Sequence, residues 1–353
     1  MTDLPEDDLR EPANWPGDNS ASLDSSEASP SPEEHPVERS SPALSPVDPN
    51  PAAPAVAVPG FEYDAPSSAE PPMFQSWAQP PIRPPARIPN FGHLCLLLLL
   101  GCIGFVCAVA LIFLAMHFHL FGWELSAKST TDVYLILASE AVLYLITFGL
   151  SLAVFPLFWK ESFFAGIQWR GAVALLRFWP LAATSLGCFA LAALDEALMP
   201  GPSNAPIEEM LKAPGAAWLM FAFGVTIAPF FEEMFFRGFL LPALATAWDW
   251  TIEQVDRRPA LPLDANGHPQ WSLSAMVVAS ILTSLPFALM HVAQQGHSLG
   301  PFLLLIVISL ILCAVRLKTR SLAASTLVHA CYNFFIFSLA MIGTSGFRHF
   351  DKM

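Results

Sequence analysis

The sequence predicts an all-α protein: a polytopic bundle of transmembrane helices preceded by a disordered N-terminal tail. Of its 353 residues, 54% are hydrophobic and only 13% are charged, whereas about a quarter of the residues in a soluble domain are charged. Long uncharged apolar runs begin at Leu94, and the residues before them are polar, acidic and rich in proline. This division separates a solvated segment from a membrane-embedded one.

Residues 1–90 form the predicted tail. They hold fifteen of the thirty acidic residues, only four basic residues and twenty of the thirty-three prolines. This composition buries too little apolar surface to offset the entropy of ordering, so we expect disorder. The net charge of −13 therefore describes mainly the tail, and it indicates no nucleic-acid partner.

Seven apolar segments are long enough to cross a hydrocarbon core of about 30 Å, which needs roughly twenty helical residues. They are 94–116, 133–158, 172–194, 216–248, 275–293, 299–315 and 321–343. The fourth is either one steeply tilted helix or two helices broken near Pro229, which would give eight spans. We divide the membrane part into N-terminal helices, residues 91–200, and a second region, residues 216–343.

The basic residues that flank these segments favour one side of the membrane. With seven spans, one side receives ten lysines and arginines and the other side receives four. Cytoplasmic loops carry the excess of basic residues, so we expect a multi-pass protein of the cell membrane with its N-terminal tail in the cytoplasm. An eighth span would break this alternation.

Ionisable side chains occur within the last four spans, where each costs roughly 2.5–3.5 kcal/mol at a helix centre. In Phe230–Gly238, Glu233 and Arg237 are four residues apart and share a helix face, so they can pair. Glu232 points about 100° away and is free to act as a general acid or base. Taken alone, the group is equally well explained as a structural ion pair.

Two further spans carry histidines. His291 ends the fifth span, and a lone histidine there is more often a satisfied core residue. His329 and Asn333 are four residues apart in the last span, where they could simply link helices by hydrogen bonds. Together, however, the three helices supply a carboxylate, two imidazoles and an amide. These groups suffice to activate a water and stabilise an oxyanion.

The motifs Glu-Glu-x-x-x-Arg, Phe-x-x-x-His and His-x-x-x-Asn follow one another on separate helices. This arrangement resembles the CAAX-processing and bacteriocin-processing (CPBP, or Abi) intramembrane endopeptidases, which include the type II CAAX prenyl proteases. The resemblance covers residues 216–340. It implies that Glu232 is the base, that His291 assists it in activating water, and that His329 and Asn333 stabilise the tetrahedral oxyanion.

The same resemblance implies that Glu233 and Arg237 orient the site through their ion pair. Members of this family are often described as metalloproteases, so Glu232, His291 and His329 are also a candidate Zn²⁺ site with an open fourth position. The sequence contains no HExxH motif, and we favour hydrolysis without a metal cofactor. The expected partners are membrane lipid and a protein or peptide substrate that is membrane-associated or lipidated.

Two other functions remain open at this point. A catalytically silent scaffold or immunity factor would carry the same motifs. A transporter would also need intramembrane Glu and His, but it predicts repeated halves that the sequence lacks. Glu140, in the second span, is interpreted as a hydrogen-bonding group of the bundle rather than a contact to the site. Gly296–Gly300 fits G-x-S-x-G but joins two apolar segments, so we interpret it as a loop.

Overall fold

The structure, a computed structural model, describes residues 87–120, 133–201, 206–212, 215–264 and 268–347. The predicted tail lies outside the described residues except at its last four positions, so its disorder stays a prediction. Every described residue belongs to one compact unit, Ser76–Met353. The proposed division into residues 91–200 and 216–343 likewise stays a prediction.

The described part of the chain is a bundle of α-helices and one π-helical segment. The elements are α1 (Phe91–His117), α2 (Val133–Trp159), α3 (Phe163–Gly166), α4 (Gly171–Leu176), α5 (Phe178–Leu198), α6 (Pro206–Leu211), α7 (Ala216–Glu233), the π segment (Met234–Leu240), α8 (Leu241–Asp256), α9 (Leu273–His291), α10 (Leu299–Thr319) and α11 (Leu322–Gly343). Seven stretches within the described residues are long and apolar enough to span a membrane. The prediction of a polytopic helical bundle with seven spans is confirmed.

The fourth span is one continuous rod of 41 residues, Ala216–Asp256, made of α7, the π segment and α8. Pro229 lies inside α7, and the alternative of a break there is wrong. A proline removes only one backbone donor, and packed neighbouring helices allow a membrane helix to continue through it. The chain therefore gains no eighth span at this position.

The third span begins later than the hydropathy pattern predicts. Residues 171–176 form the separate short helix α4, and the spanning helix α5 begins at Phe178. Arg177 adopts a non-helical conformation between the two helices. Pro180, in the first turn of α5, has no N–H to donate to the preceding turn. The helix therefore starts afresh after Arg177.

Packing places α11 within the bundle, against α5, α7 and α10, while α9 packs against α8 and α10. α1 packs against α2, and its Gly104 lies so close to α2 that a Cβ there would meet the hydroxyl of Thr147. Large apolar side chains such as Leu145, Leu157 and Leu176 are exposed. Such a surface is expected of helices whose solvent is lipid.

Candidate active site

Two adjacent carboxylates lie at the end of α7, each facing a different environment. Glu233 is fully buried, whereas the side chain of Glu232 is 13% exposed. Adjacent residues on a helix point about 100° apart, so Glu233 faces the packed interior while Glu232 faces the space between α7, α9 and α11. One helix end thus supplies a structural carboxylate and a more accessible one.

Glu233 and Arg237 form the predicted ion pair, with Nη1 of Arg237 donating to Oε1 of Glu233 at 2.8 Å. The second terminal nitrogen of Arg237, Nη2, donates to the backbone carbonyl and hydroxyl oxygens of Ser309 on α10, at 3.1 and 2.7 Å. Its guanidinium also lies 4.5 Å from the ring centroid of Phe287 on α9, within cation–π range. Arg237 therefore links three elements around a fully buried charge pair.

Two histidines face the Glu232 carboxylate from different helices. The Nε2 atoms of His291, at the end of α9, and His329, in α11, each lie 3.8 Å from Oε2 of Glu232. That oxygen is buried and has no hydrogen-bond partner among the described residues. A separation of this size between polar atoms leaves room for a bridging water.

The tautomer of each histidine follows from its other ring nitrogen. Nδ1 of His291 lies 2.9 Å from the backbone carbonyl of Phe287, and Nδ1 of His329 lies 3.1 Å from Oε1 of Glu233. A carbonyl and an ionised carboxylate only accept hydrogen bonds, so we assign the proton to Nδ1 in both rings. In the neutral imidazoles, both Nε2 atoms then present a lone pair toward Glu232.

Asn333, one turn after His329 on α11, makes a contact that the sequence does not predict. Its side-chain Nδ2 donates to the backbone carbonyl of Gly224 on α7 at 2.7 Å. A Cβ on Gly224 would come within 2.8 Å of the Phe337 ring, so the two helices approach closely here. One amide hydrogen thus links α11 to α7, while the second hydrogen on Nδ2 is left for another acceptor.

We expect Asn333→Ala to cause a large loss of catalytic turnover and only a small loss of stability. Loss of an oxyanion donor lowers kcat by about 10²–10³-fold, whereas a hydrogen bond between membrane helices contributes about 0.6 kcal/mol on average. Turnover of a peptide substrate and the thermal unfolding midpoint, measured on the same preparation, separate the two effects. If the loss of turnover is fully explained by unfolding of the variant, Asn333 acts in helix packing alone.

The π segment begins directly after Glu233 and contains Arg237. π-helical turns are rare and often occur at functional sites. The backbone carbonyl of Arg237 accepts a hydrogen bond from Nε of Arg316 at 3.3 Å. A side chain on α10 therefore satisfies a backbone group of the irregular turn that carries the ion pair.

α2 also reaches the site, through residues that the motifs do not include. The Tyr144 hydroxyl donates to Oε1 of Glu140 at 2.7 Å, and its ring stacks on Phe231 with centroids 4.4 Å apart. This hydrogen bond lies within α2, so the expected role of Glu140 in the bundle stays a prediction. Glu140 also lies within electrostatic range of Glu232 and His291. The sequence does not indicate that α2 comes this close to the site.

A cavity of about 460 Å³ opens beside Glu232, between α1, α2, α7 and the π segment. Its walls are almost wholly apolar, with Leu98, Phe105, Leu143 and Phe235 among them. Of the described residues that line it, Glu232 is the one with a carboxylate side chain. The cavity can therefore hold an apolar group next to the accessible carboxylate.

The candidate metal set of Glu232, His291 and His329 has suitable donor atoms but not the spacing of a metal site. Donors 2.0–2.1 Å from a tetrahedral Zn²⁺ lie about 3.3 Å apart, and both Nε2 atoms are 3.8 Å from the carboxylate oxygen. Within the described residues, no group of three or more His, Cys, Asp or Glu could hold a metal ion. We derive no catalytic step through a metal.

One comparison with known proteins gives a match. The sequence model of a family described as type II CAAX prenyl endopeptidase Rce1-like matches residues 214–335. The matched segment runs from the residue before Gly215 through most of α11, and it includes all six predicted site residues. No curated protein and no solved structure matches the chain.

Proposed function

We propose that this chain hydrolyses a peptide bond of a membrane-associated or lipidated protein inside its helical bundle. Its residues 214–335 match the sequence model of the type II CAAX prenyl endopeptidase Rce1-like family. The family is one of proteases, and the seven apolar helices make the chain a membrane protein. The observation that carries the proposal is the pair of 3.8 Å separations that join Oε2 of Glu232 to His291 and His329.

Water activation follows from the hydrogen-bonding capacity of Glu232 and His291. The carboxylate oxygen and the Nε2 lone pair of His291 are both acceptors, so they cannot bond directly to each other. A water placed between them donates one hydrogen to each and keeps an oxygen lone pair for attack on the substrate carbonyl. Glu232 takes the proton as the new C–O bond forms.

The oxyanion that forms needs donors, and His329 can donate only when both of its nitrogens are protonated. Its Nδ1 proton is held by Glu233, so the proton directed at the oxyanion is the one on Nε2 of the imidazolium. Asn333 adds its second amide hydrogen as a further donor. Collapse of the intermediate breaks the C–N bond as Glu232 returns its proton to the leaving amine, which gives a carboxylic acid and an amine.

The substrate class is inferred from the cavity beside Glu232. An apolar space of about 460 Å³ suits hydrophobic side chains or a lipid group next to the scissile bond. A polar, extended peptide would gain little from these walls. We therefore place the substrate among proteins or peptides held at the membrane.

The test is cleavage by the purified full-length chain in liposomes. The probes are a synthetic peptide with a farnesylated cysteine three residues from its C terminus and the same peptide without the lipid. We expect cleavage of the lipidated peptide, and His329→Ala is expected to reduce kcat by about 10²–10³-fold, as for loss of an oxyanion donor. Mass spectrometry of the products identifies the bond that is cut.

His117→Ala is the matched control, because His117 is exposed at the end of α1 and should leave the rate unchanged. A chelator is expected to leave activity intact; loss that added Zn²⁺ restores would overturn the metal-free mechanism. If His329→Ala cleaves as fast as the wild type, the proposed site is wrong. Such a result would favour a silent scaffold, with the cleavage arising from a contaminant.

We also propose that the side of the membrane with more basic residues is the cytoplasmic side of a cell membrane. The support is the ratio of ten flanking lysines and arginines to four, together with the seven spans that alternate between the two sides. In this orientation the N-terminal tail is cytoplasmic.

A further inference from the structure

Arg316 is a buried cation that forms no ion pair with a described residue. It lies in the last turn of α10 with 2% of its surface exposed. Its Nε donates to the backbone carbonyl of Arg237 and its Nη1 to Oε1 of Gln168, at 3.3 and 2.9 Å. Both acceptors are uncharged. Among the described residues, no carboxylate oxygen lies within ion-pair distance of this guanidinium, and a buried charge without a partner is costly.

This guanidinium lines a pocket of about 140 Å³. Gln168 forms one wall, and His268 and Trp271, from the connection before α9, contribute others. Arg320, just after α10, lies at the pocket and is largely exposed. The pocket is separate from the cavity beside Glu232, since the two share none of their lining residues.

The charges around the pocket are predominantly positive. His268 lies within electrostatic range of Arg170, Arg316 and Arg320, and of a single carboxylate, Asp264. That carboxylate already pairs with Nη1 of Arg320 at 2.6 Å. Burial, aided by the three arginines and opposed by Asp264, lowers the pKa of His268. Glu233 also acts on Arg316, but it is already paired with Arg237. The described residues at the pocket therefore keep an excess of positive charge.

We propose that this pocket binds a phosphate group, carried by a lipid headgroup or free in solution, with Arg316 as its buried counter-ion. The planar guanidinium matches phosphate oxygens better than any other cationic side chain. Arg316 and Arg320 lie at the end of the span Leu299–Thr319, the level at which lipid headgroups meet water. This proposal does not rest on the proposed hydrolysis.

The test measures the thermal unfolding midpoint of the purified full-length chain in a non-ionic detergent. Three additives are titrated at constant ionic strength: short-chain phosphatidate, inorganic phosphate, and the diacylglycerol that lacks the phosphate. A ligand that binds only the folded state raises the midpoint with concentration. We expect phosphatidate or phosphate to do so, with no effect of diacylglycerol, and Arg316→Gln to weaken the apparent Kd by at least about tenfold.

Arg320→Asn is the second variant in case Arg316→Gln fails to fold. Arg320 is largely exposed and has a positive φ of 49°, which asparagine tolerates. It is expected to weaken binding several-fold. Lys318→Gln, on the same helix but outside the pocket and exposed, is the matched control and should bind as the wild type does.

The source of the phosphate follows from the concentrations required. Saturation by micromolar phosphatidate, with millimolar phosphate inactive, identifies a lipid headgroup; similar midpoints at similar concentrations identify free phosphate. The proposal is overturned if neither phosphate compound stabilises the chain beyond matched chloride. It is equally overturned if Arg320→Asn and Lys318→Gln respond as the wild type does.

Discussion

Replacing Glu232 with Gln is expected to lower kcat/KM for peptide cleavage by about 10²–10⁴-fold, the contribution of a positioned general acid or base. Glutamine keeps the size and polarity of the side chain but cannot accept a proton from water. Its amide can also donate toward His291 and His329, whose Nε2 atoms are 3.8 Å from the carboxylate oxygen. Initial rates on the farnesylated peptide over a range of concentrations give the loss in kcat and in KM separately.

Glu196→Gln is the control for this experiment, because Glu196 is an exposed carboxylate near the end of α5. It should cleave at the wild-type rate. The unfolding midpoint of Glu232→Gln should stay close to that of the wild type, since its Oε2 has no hydrogen bond to lose within the described residues. Wild-type cleavage by Glu232→Gln would refute the proposed mechanism.

Arg237→Leu is expected to lower the free energy of unfolding by about 3–5 kcal/mol, as for removal of one partner from a buried ion pair. The change removes the arginine partner of the Glu233 carboxylate, which is fully buried and then keeps its contact with Nδ1 of His329. It also removes the two hydrogen bonds to Ser309. Reversible unfolding in mixed micelles, followed by circular dichroism, measures the loss.

The double variant Glu233→Gln with Arg237→Leu isolates the effect of the Glu233 charge. It is expected to be more stable than Arg237→Leu alone, because no unpaired carboxylate remains buried. Arg177→Leu, at an exposed position between α4 and α5, is the control and should change stability little. If the double variant is the less stable of the two, the ion pair does not explain the loss.

Hydropathy alone predicts most of this fold, because the bilayer imposes a minimum length on every apolar span. It does not predict the start of α5. Arg177 and Pro180 interrupt the helix, but residues 172–194 as a whole remain apolar enough to be predicted as one span. Hydropathy does not predict the π segment either. Met234–Leu240 is apolar at all but two positions, so the sequence has no polar face whose shift would indicate an extra residue in the turn.

Some contacts of the site are likewise predictable from the sequence, and others are not. The pairing of Glu233 with Arg237 is predicted by a spacing of four residues, and the pair is present. The contact between Asn333 and Gly224 spans 109 positions, and no local pattern specifies such a partner. Tyr144 is missed for another reason: the site motifs do not include α2, although Glu140, Tyr144 and Thr147 recur at helical spacing on one face of that helix.

The length of the fourth span bears on how water reaches the reaction. Twenty helical residues cover about 30 Å, the thickness of the hydrocarbon core. Counted from Ala216, that distance ends near Phe236, about one turn beyond Glu232, while the rod itself continues to Asp256. If the hydrocarbon core begins at Ala216 and the rod stands upright in it, the carboxylate lies at a shallow depth, close to one membrane surface. Water would need to cross only a few ångströms of the bundle to arrive at it.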